Sequence, residues 1–336
     1  MTEFSAEKVW GLSEKEFLSL LESGVLASRI KQVKFYTPSF AYHKMSHDCS
    51  SNVRFPTISV TGKECALDCK HCGGRVLKAM VPAETPTKLF EIAEKLKLEG
   101  AVGFLVSGGC LSNGSVPLQR FIPALARIKR ELGLTVAVHT GIISASTAEA
   151  LKDSGIDAAL IDVIGSDQTI RQVCNLNVTV GDYEDSLKVM NTAGLNFVPH
   201  VIVGLQNGTL EGEFQALKMI RRYEPSALVI IAFMPIRGTE MENVKPPSPE
   251  AIARVVATAR LMFPEKPLAL GCMRPKGKHR AVTDVLALKA GADAIAFPSE
   301  EAVDYAKKHG YETAFLPYCC SQIYVDAGNI VRSVSK

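Results

Sequence analysis

Three cysteines, Cys65, Cys69 and Cys72, lie close together in the chain and are separated by three and by two residues. Three thiolates on one short loop can bind three irons of a 4Fe–4S cluster, whereas an electron-transfer cluster usually has four cysteine ligands. The fourth iron is then free to bind another molecule. The spacing therefore predicts an iron–sulfur centre at which a bound ligand reacts.

Other uses of these cysteines fit their surroundings less well. A tetrahedral zinc site needs four ligands; His71 lies in the same loop, but no second Cys-x-x-Cys pair follows. A disulfide framework does not suit nine cysteines in 336 residues. Burial of the three thiols in the core is the remaining alternative, since free cysteine is among the most buried residue types.

The overall composition sets broad limits. The chain has 336 residues, of which 47% are hydrophobic, and its 38 basic and 35 acidic residues give a net charge of +3. This balance gives no reason to expect binding to nucleic acid or to a membrane surface. Residues 1–20 mix charged and apolar side chains, so we expect neither a secretory signal nor a membrane span. A cytoplasmic protein with reduced or metal-bound thiols is expected.

Short apolar segments alternate with amphipathic ones, a pattern that is typical of βα units around a parallel sheet. Capping residues such as Ser144 and Ser248 mark helix starts. Eight units favour a closed (β/α)8 barrel of the TIM type over an open sheet. The predicted strands are 57–60, 103–107, 135–139, 158–163, 197–203, 227–233, 267–271 and 294–297.

Polar and glycine residues are concentrated where these strands end. In a (β/α)8 barrel the carboxyl ends of the strands carry the chemistry, and the cysteine loop follows the first strand. We therefore predict one site at this edge, although each residue alone is also explained as an ordinary turn residue. The residues concerned are Ser107, Gly108, Gly109, Cys110, His139, Asp162, His200, Cys272 and Arg274.

Two flanks lie outside the predicted barrel. Residues 1–55 are predicted to form a helical extension that ends in an irregular segment containing Cys49. Residues 56–314 form the barrel, and residues 315–336 form a C-terminal extension with the sequence Cys319-Cys320-Ser321. Neither flank is a low-complexity tract or a linker, so a single domain with capping extensions is expected.

The cysteine spacing resembles that of the radical S-adenosylmethionine (SAM) enzymes, and the resemblance extends from about Thr57 to Pro317. It implies that the open iron binds the amino and carboxylate groups of SAM. One electron from the cluster then releases a 5′-deoxyadenosyl radical, which removes hydrogen from an unactivated carbon. The cofactor supplies this chemistry, while the protein supplies orientation and the exclusion of water.

The resemblance also implies a set of SAM contacts. The run from Ser107 to Gly109 is similar to a glycine motif in which bare backbone lets the SAM amino group approach. Cys110 stands where the family often has glutamate. His71 corresponds to an aromatic position beside the adenine, and Asp162 to a residue that holds the ribose hydroxyls. The implied cofactor-binding residues are His71, Ser107, Gly108, Gly109, His139, Asp162, Ile202 and Val203.

The segment from Cys272 to Phe297 resembles the last units of the biotin synthase group. Arg274 corresponds to the arginine that binds the sulfur-donating 2Fe–2S cluster of that group, which implies a catalytic role for it. The cysteines that hold that cluster are not carried over, because Leu105, Val136 and Val198 align with their positions. We therefore expect an apolar pocket in place of the biotin synthase cluster.

Six cysteines remain outside the triplet, and each alone is also explained as a core residue. Cys272 lies at a strand end, Cys319 and Cys320 on the C-terminal flank, and Cys49 on the N-terminal flank. We predict that these four bind an auxiliary 4Fe–4S cluster opposite the first, with Ser321 as a further oxygen ligand. Cys319 and Cys320 are predicted to be catalytic, because the cluster they hold would donate sulfur.

A barrel of this kind with cysteines on both flanks resembles a component of the two-protein lipoyl synthases of archaea and some bacteria. The resemblance implies an octanoylated carrier protein or domain as substrate, a second radical SAM subunit, and an electron donor such as ferredoxin. One alternative is a radical SAM enzyme without sulfur donation, of the hydrogenase-maturation or pyrrolysine-synthesis type, or a biotin synthase-like enzyme. Another is an electron carrier or scaffold that uses the triplet structurally.

Overall fold

The structure is a computed structural model that describes residues 4–27, 31–38 and 54–326. Its described strands are β1 (Gln32–Tyr36), β2 (Thr57–Ser59), β3 (Val81–Pro82), β4 (Gly103–Ser107), β5 (Thr135–His139), β6 (Ala158–Asp162), β7 (Phe197–Val203), β8 (Leu228–Ala232), β9 (Leu268–Leu270), β10 (Ala294–Ala296) and β11 (Glu312–Leu316). All the predicted strands are therefore present, as β2 and β4 to β10.

These strands form one sheet in the order β11-β1-β10-β9-β8-β7-β6-β5-β4-β2-β3. Every adjacent pair is parallel. The prediction of an α/β fold with a parallel sheet is confirmed. Strict closure into eight strands is not: among the described residues β3 and β11 are the two edges of an eleven-stranded sheet.

Strand β1 comes from the flank that was predicted to be helical and then irregular. It pairs with β10 on one side and with β11 on the other, so both flanks extend the sheet. Its sequence, Gln-Val-Lys-Phe-Tyr, places a lysine between apolar residues, which hides the strand pattern. Lys34 is buried, and its Nζ donates to the Ile323 carbonyl at 3.5 Å.

Helices connect successive strands and cover the sheet. The predicted caps are confirmed: the Ser144 and Ser248 side chains accept hydrogen bonds from the backbone of Thr147 and Ala251. The described helices are α1 (Ala6–Gly11), α2 (Glu14–Glu22), α3 (Pro86–Leu98), α4 (Ile122–Leu132), α5 (Ala145–Asp153), α6 (Asp167–Gln172), α7 (Val180–Thr192), α8 (Glu213–Ile220), α9 (Pro249–Met262), α10 (Lys278–Lys289), α11 (Glu300–Lys308) and α12 (Ile323–Asp326).

The two faces of the sheet belong to two separate apolar clusters. In β5, Val136 and Val138 belong to the outer cluster that contains the helices, whereas Ala137 belongs to the inner cluster. This alternation is the period of two that a strand imposes. The inner face carries small side chains where barrels usually carry bulky ones. Its alanines are Ala137, Ala158, Ala227, Ala269, Ala294 and Ala296.

The chain itself occupies part of the space beside these alanines. Residues Cys319–Asp326, which we call the inner segment, follow β11 and include a short 3-10 helix at Cys320–Gln322. Cys319, Cys320 and Ile323 belong to the inner cluster. The Tyr324 hydroxyl donates to the carbonyl of Asp157, the residue before β6. The inner segment thus runs from the carboxyl edge of the sheet to its amino edge.

No helix in the described part of the chain is long and apolar enough to cross a membrane.

Candidate active site

The cysteine loop leaves β2 and turns tightly at its end. Asp68, Gly73 and Gly74 have φ angles of 45°, 49° and 64°, a conformation that glycine adopts without strain. The N–H groups of Cys72 and Gly73 both donate to the Cys69 carbonyl, at 3.1 and 2.7 Å. The turn brings ligand atoms of Cys69, His71 and Cys72 within 4.8 Å of one another, and Cys65 is half-buried nearby on the same loop.

The loop is held in place by the segment that follows α6. The Asn175 side chain donates to the Asp68 carbonyl at 2.7 Å, and the Lys70 N–H donates to the Val173 carbonyl at 2.8 Å. The Cys69 thiol donates to the Cys174 carbonyl at 3.2 Å, and the neighbouring Cys174 side chain, followed by burial, raises the pKa of Cys69. A metal ion would displace the thiol proton. The sequence analysis did not single out Asn175. The signal that could have found it is its position directly after Cys174, a buried cysteine outside the triplet.

The predicted glycine motif packs directly against the cysteine loop. A Cβ on Gly109 would lie 2.0 Å from the Glu64 carbonyl oxygen and 2.6 Å from the Cys65 Cβ. Only glycine fits at this distance. The Gly109 N–H donates to Thr61 Oγ1 at 2.7 Å, and the Ala66 N–H donates to the Cys110 carbonyl at 2.8 Å. The loop after β4 therefore forms one wall of the cysteine site.

The other predicted SAM contacts divide into two groups. His71, Ser107, His139, Asp162 and Ile202 are half-buried, as is Gly108. Val203 is different, because it is fully buried in the outer cluster among the helices. Its side chain is not available to a cofactor, which corrects the prediction for this residue. The alternation of a strand explains the error, since only every second residue faces inward.

A row of three titratable side chains crosses the inner face between the two groups of cysteines. His139 Nε2 and Asp162 Oδ1 are 3.5 Å apart, and the His139 and His200 rings are 6.0 Å apart between centroids. Burial on its own lowers the pKa of His139 and raises that of Asp162, but their opposite charges outweigh it. The pKa of His139 is raised and that of Asp162 is lowered. Each partner therefore favours the charged form of the other.

His200 differs from its neighbours because it is neutral. Burial lowers the pKa of His200 to about 4. Its Nδ1 lies 3.1 Å from the Val198 carbonyl, an arrangement that places the ring proton on Nδ1. The inner face thus carries the His139–Asp162 pair beside the His200 imidazole.

The second group of cysteines lies beyond this row. Cys319 and Cys320 are buried and Cys272 is half-buried. Burial, and then the neighbouring Cys319, raise the pKa of Cys272 to about 12. The Cys320 thiol donates to Cys319, which lowers the pKa of Cys319 and raises that of Cys320, and the charge of His139 lowers that of Cys319 further. The structure therefore brings together Cys272, Cys319 and Cys320, and it places His139 beside Cys319. Cys49 lies outside the described residues.

Arg274 has no donor left for a cluster or a substrate. Its side chain is fully buried. Its Nε and Nη2 donate to both oxygens of Asp284, at 2.7 and 2.8 Å. Its remaining N–H groups donate to the carbonyls of Gly271, Ala296 and Phe297. All five N–H donors of the guanidinium are satisfied, so the predicted catalytic role is replaced by a structural one that joins the ends of β9 and β10.

Several buried polar atoms have no hydrogen-bond partner within the described structure. Those near the two groups of cysteines are His71 Nδ1 beside the cysteine loop, and Ser321 Oγ, Gln322 Nε2 and Gln322 Oε1 on the inner segment. Leaving such a group unpaired costs about 1–3 kcal/mol, and native proteins leave few of them. Both cysteine groups are thus bordered by polar atoms that lack a partner. A bound group at each place would supply one.

The residues at the cysteine loop fit a 4Fe–4S cluster and SAM. Cys65, Cys69 and Cys72 offer three thiolates, the Gly109 backbone leaves room for a close approach, and the unpaired His71 Nδ1 lies on the same loop. The second group offers Cys272, Cys319, Cys320 and Ser321, which are donors of the kind that iron–sulfur clusters take.

Comparisons with known proteins agree with this site. The sequence profile of the radical SAM superfamily matches residues 59–218. The biotin synthase of Leptospira biflexa serovar Patoc is 26% identical over 218 residues, 62% of this chain and 60% of that protein. Biotin synthase 2 of Polaromonas sp. is 26% identical over 263 residues, 75% of this chain and 74% of that protein. The match thus spans about three fifths of the first relative's length.

Solved structures share the fold. Methylornithine synthase has a TM-score of 0.61 at 16% identity, over 93% of this chain and 95% of that one. The FeFe-hydrogenase maturase HydG of Carboxydothermus hydrogenoformans has a TM-score of 0.60 at 13% identity, over 92% of this chain and 75% of that one.

A parallel α/β sheet with a three-cysteine loop after its first barrel strand is the arrangement that the resemblance to radical SAM enzymes implies. The matches support the radical SAM superfamily and, within it, a biotin synthase-like affinity.

Proposed function

We propose that this enzyme inserts sulfur into an unactivated C–H bond and takes the sulfur from an auxiliary 4Fe–4S cluster. The observation that carries the proposal is the buried group Cys272, Cys319 and Cys320, which lies across the inner face from the cysteine loop. A radical SAM enzyme needs only the first three cysteines to cleave SAM. A second set of thiols on the inner face would hold the auxiliary cluster that supplies sulfur for such a reaction.

The polar surroundings of the second group support a bound cluster there. Ser321 and Gln322 are almost completely buried, and their side-chain oxygen and nitrogen atoms have no partner in the described structure. Arg280 lies near Cys272 and is half-buried, and its Nε is also unpaired. Four thiolates make a 4Fe–4S cluster anionic, so a neighbouring guanidinium and amide N–H groups suit it. Cys49 is proposed as the remaining thiolate.

A biotin synthase-type cluster is not supported by the inner face. The inward residues at the relevant strands are Leu105, Ala137 and Val198. The sequence comparison named Val136 at this position. The inward residue of the strand is Ala137, since Val136 faces the helices. None of the three can bind iron, and Arg274 is fully occupied by protein groups. The sulfur source is therefore proposed on the inner segment and not on the strands.

For the substrate we propose the octanoyl group of an octanoyl-lysyl carrier protein or domain, as in the two-protein lipoyl synthases. The inner face is lined by alanine, valine and leucine, which suits an apolar chain. A second radical SAM subunit and an electron donor such as ferredoxin are proposed as partners. A cytoplasmic location is proposed because the thiols must stay reduced to bind iron.

The test measures the iron content of the chain and its sulfur-transfer activity separately. The reconstituted wild-type chain is expected to hold about eight irons, four in each cluster. Replacing Cys319 and Cys320 by serine should abolish sulfur transfer to an octanoyl-lysyl peptide while SAM is still cleaved to 5′-deoxyadenosine. Cys69→Ala should abolish the cleavage itself.

Two outcomes would overturn the proposal. If the fully reconstituted wild-type chain holds only about four irons, no auxiliary cluster exists. If the serine variants keep sulfur transfer, the inner-segment cysteines are not its source, and a radical SAM enzyme without sulfur donation becomes the better description.

A further inference from the structure

We propose that one water molecule is bound between the side chains of Thr169 and Glu213, and that it joins the support of the cysteine loop to the end of β7. Thr169 lies on α6 and Glu213 begins α8, so the two side chains come from different elements. The inference does not depend on sulfur insertion, on SAM or on an auxiliary cluster.

Each of the two side chains has a polar atom without a partner in the described structure. Thr169 is 1% exposed, and its Oγ1 makes no hydrogen bond. Glu213 is 4% exposed, and its Oε2 makes none either. Buried polar groups in folded proteins are almost always paired, with ordered water where no protein group is within reach. These two atoms therefore need a partner that the described residues do not supply.

Both residues line one small cavity at the carboxyl ends of β6 and β7. Its volume is about 10 Å³, which is room for a single water molecule. Part of its lining is apolar, with Val163 and Leu205 among the residues. Glu211 also lines the cavity, but it is exposed and its Oε1 accepts the Ser166 hydroxyl at 2.9 Å. The unpaired hydroxyl and carboxyl oxygens are therefore the groups that a water in this cavity can bind.

The other oxygen of Glu213 holds the carboxyl group beside the cavity. Oε1 accepts the Gly204 N–H at 2.8 Å, and the neighbouring Ile202 and Leu205 line the cavity. Burial raises the pKa of Glu213, which favours the protonated carboxyl group. Since Oε1 is an acceptor, the proton lies on Oε2 and needs an acceptor of its own. A water accepts it and donates in turn to Thr169 Oγ1, so both unpaired atoms are satisfied.

The backbone of Thr169 extends this contact to the cysteine loop. Its carbonyl accepts the N–H groups of Val173 and Cys174 at 2.9 and 3.3 Å. These are the two residues whose own carbonyls accept hydrogen bonds from the cysteine loop. With the water in place, a continuous series of hydrogen bonds runs from that loop through α6 to Gly204. The water thus fixes the position of the loop relative to the end of β7.

The direct test is a crystal structure of the reconstituted full chain at a resolution that shows ordered water. It should show one water within hydrogen-bond distance of Thr169 Oγ1 and Glu213 Oε2. A site without density, or a direct hydrogen bond between the two side chains, would overturn the inference. Density bound by about six or more oxygen atoms would do the same, because it would identify a cation.

The energetic test is Thr169→Val, which replaces the hydroxyl by a methyl group of similar size. With a water bound, the variant loses a hydrogen bond, and the midpoint of thermal unfolding of the reconstituted chain should fall by about 2 °C. Without a water, the substitution removes an unpaired buried hydroxyl. The midpoint would then stay the same or rise, and the inference would be wrong.

A double-mutant cycle shows whether this loss acts through Glu213. In Glu213→Leu the water has already lost one partner, so adding Thr169→Val should lower the midpoint no further. Thr258→Val is the matched control, since Thr258 is fully buried and its hydroxyl donates to the Arg254 carbonyl at 2.8 Å within α9. Its effect should be the same with and without Glu213→Leu. An equal effect of Thr169→Val in both backgrounds would contradict the bridge. If a variant does not fold, the crystal structure of the wild type decides the question alone.

Discussion

Arg274 is among the largest fully buried side chains in the described structure, and its charge is balanced by the buried carboxylate of Asp284. Asp284 Oδ2 also accepts the Ser299 N–H at 2.9 Å, at the start of α11. These contacts join β9, β10, α10 and α11 at the carboxyl edge of the sheet. A buried pair of this kind is costly to break, because one unpaired charge then remains in the core.

Arg274→Met should therefore lower the free energy of unfolding by roughly 3–5 kcal/mol, which urea denaturation would measure. Arg274→Met with Asp284→Asn should recover part of the loss, since no unpaired charge is left. The control is Arg127→Met, in an exposed pair with Glu131 worth about 0–1 kcal/mol. If Arg274→Met kept wild-type stability but lost SAM cleavage or sulfur transfer, a catalytic role of Arg274 would be supported instead.

Glu213 is a buried carboxyl at the start of α8. Its Oε1 accepts the Gly204 N–H at 2.8 Å, while its Oε2 is buried without a partner. Burial raises the pKa of Glu213 above its ordinary value, against the effect of these backbone hydrogen bonds. The folded chain therefore holds this proton more strongly than the unfolded chain does.

Wild-type stability should consequently fall as pH rises from the ordinary carboxyl range through the raised pKa of Glu213. Glu213→Gln removes the charge and keeps an acceptor for Gly204, so its advantage over wild type should grow across that window. Urea unfolding at a series of pH values measures the difference. Glu131→Gln serves as control with the opposite sign, because Arg127 lowers the pKa of Glu131. An advantage that does not change with pH would contradict the argument.

At the scale of elements, the inner segment has the largest effect on the site. It carries Cys319 and Cys320, fills the space over the inner alanines and reaches the amino edge through Tyr324. A chain that ends at Tyr318 should unfold at a lower urea concentration and bind an apolar dye, because the inner face is then open to water. A chain that ends at Asp326 should match the full-length protein. Equal stability of the two truncated chains would show that the segment is dispensable for the fold.

The elements differ in how well the sequence predicts them. The apolar runs of β4 to β10 and the caps of α5 and α9 are local signals, so they are found without a structure. Strand β1 is concealed by Lys34, whose partner Ile323 is far away in the chain. The course of the inner segment depends on which face carries alanines, a property of several strands together. Local pattern cannot supply such long-range information.

The residues of the candidate site also divide into those with a local sequence signal and those without one. The cysteine loop and the glycines after β4 are recognisable because their spacing is short. Val136 was placed on the inner face by alignment of strand ends, and the structure places Ala137 there. A shift of one residue reverses the face, so strand-end residues are predicted less well than loop residues. Gln322 was missed because an isolated glutamine carries no spacing signal.

At the scale of the whole molecule, the question is whether the sheet is closed. Strands β3 and β11 each have one neighbour in the described structure, whereas β5 to β8 have two. Hydrogen exchange followed by mass spectrometry should therefore show fast exchange in β3 and β11 and slow exchange in β5 to β8, with β1 protected by β10 and β11. If β11 exchanged as slowly as β7, the sheet would be closed by residues outside the described ranges.

The pairing of β1 with β10 and β11 also determines when the sheet can be completed during synthesis of the chain. Residue 32 of β1 pairs with residue 312 of β11, so the first strand to leave the ribosome waits for one of the last. The inner segment follows later still, and only then is the interior sealed. Until then the cysteine loop lies on an incomplete sheet, so a cluster inserted during synthesis would reach it before the fold is closed.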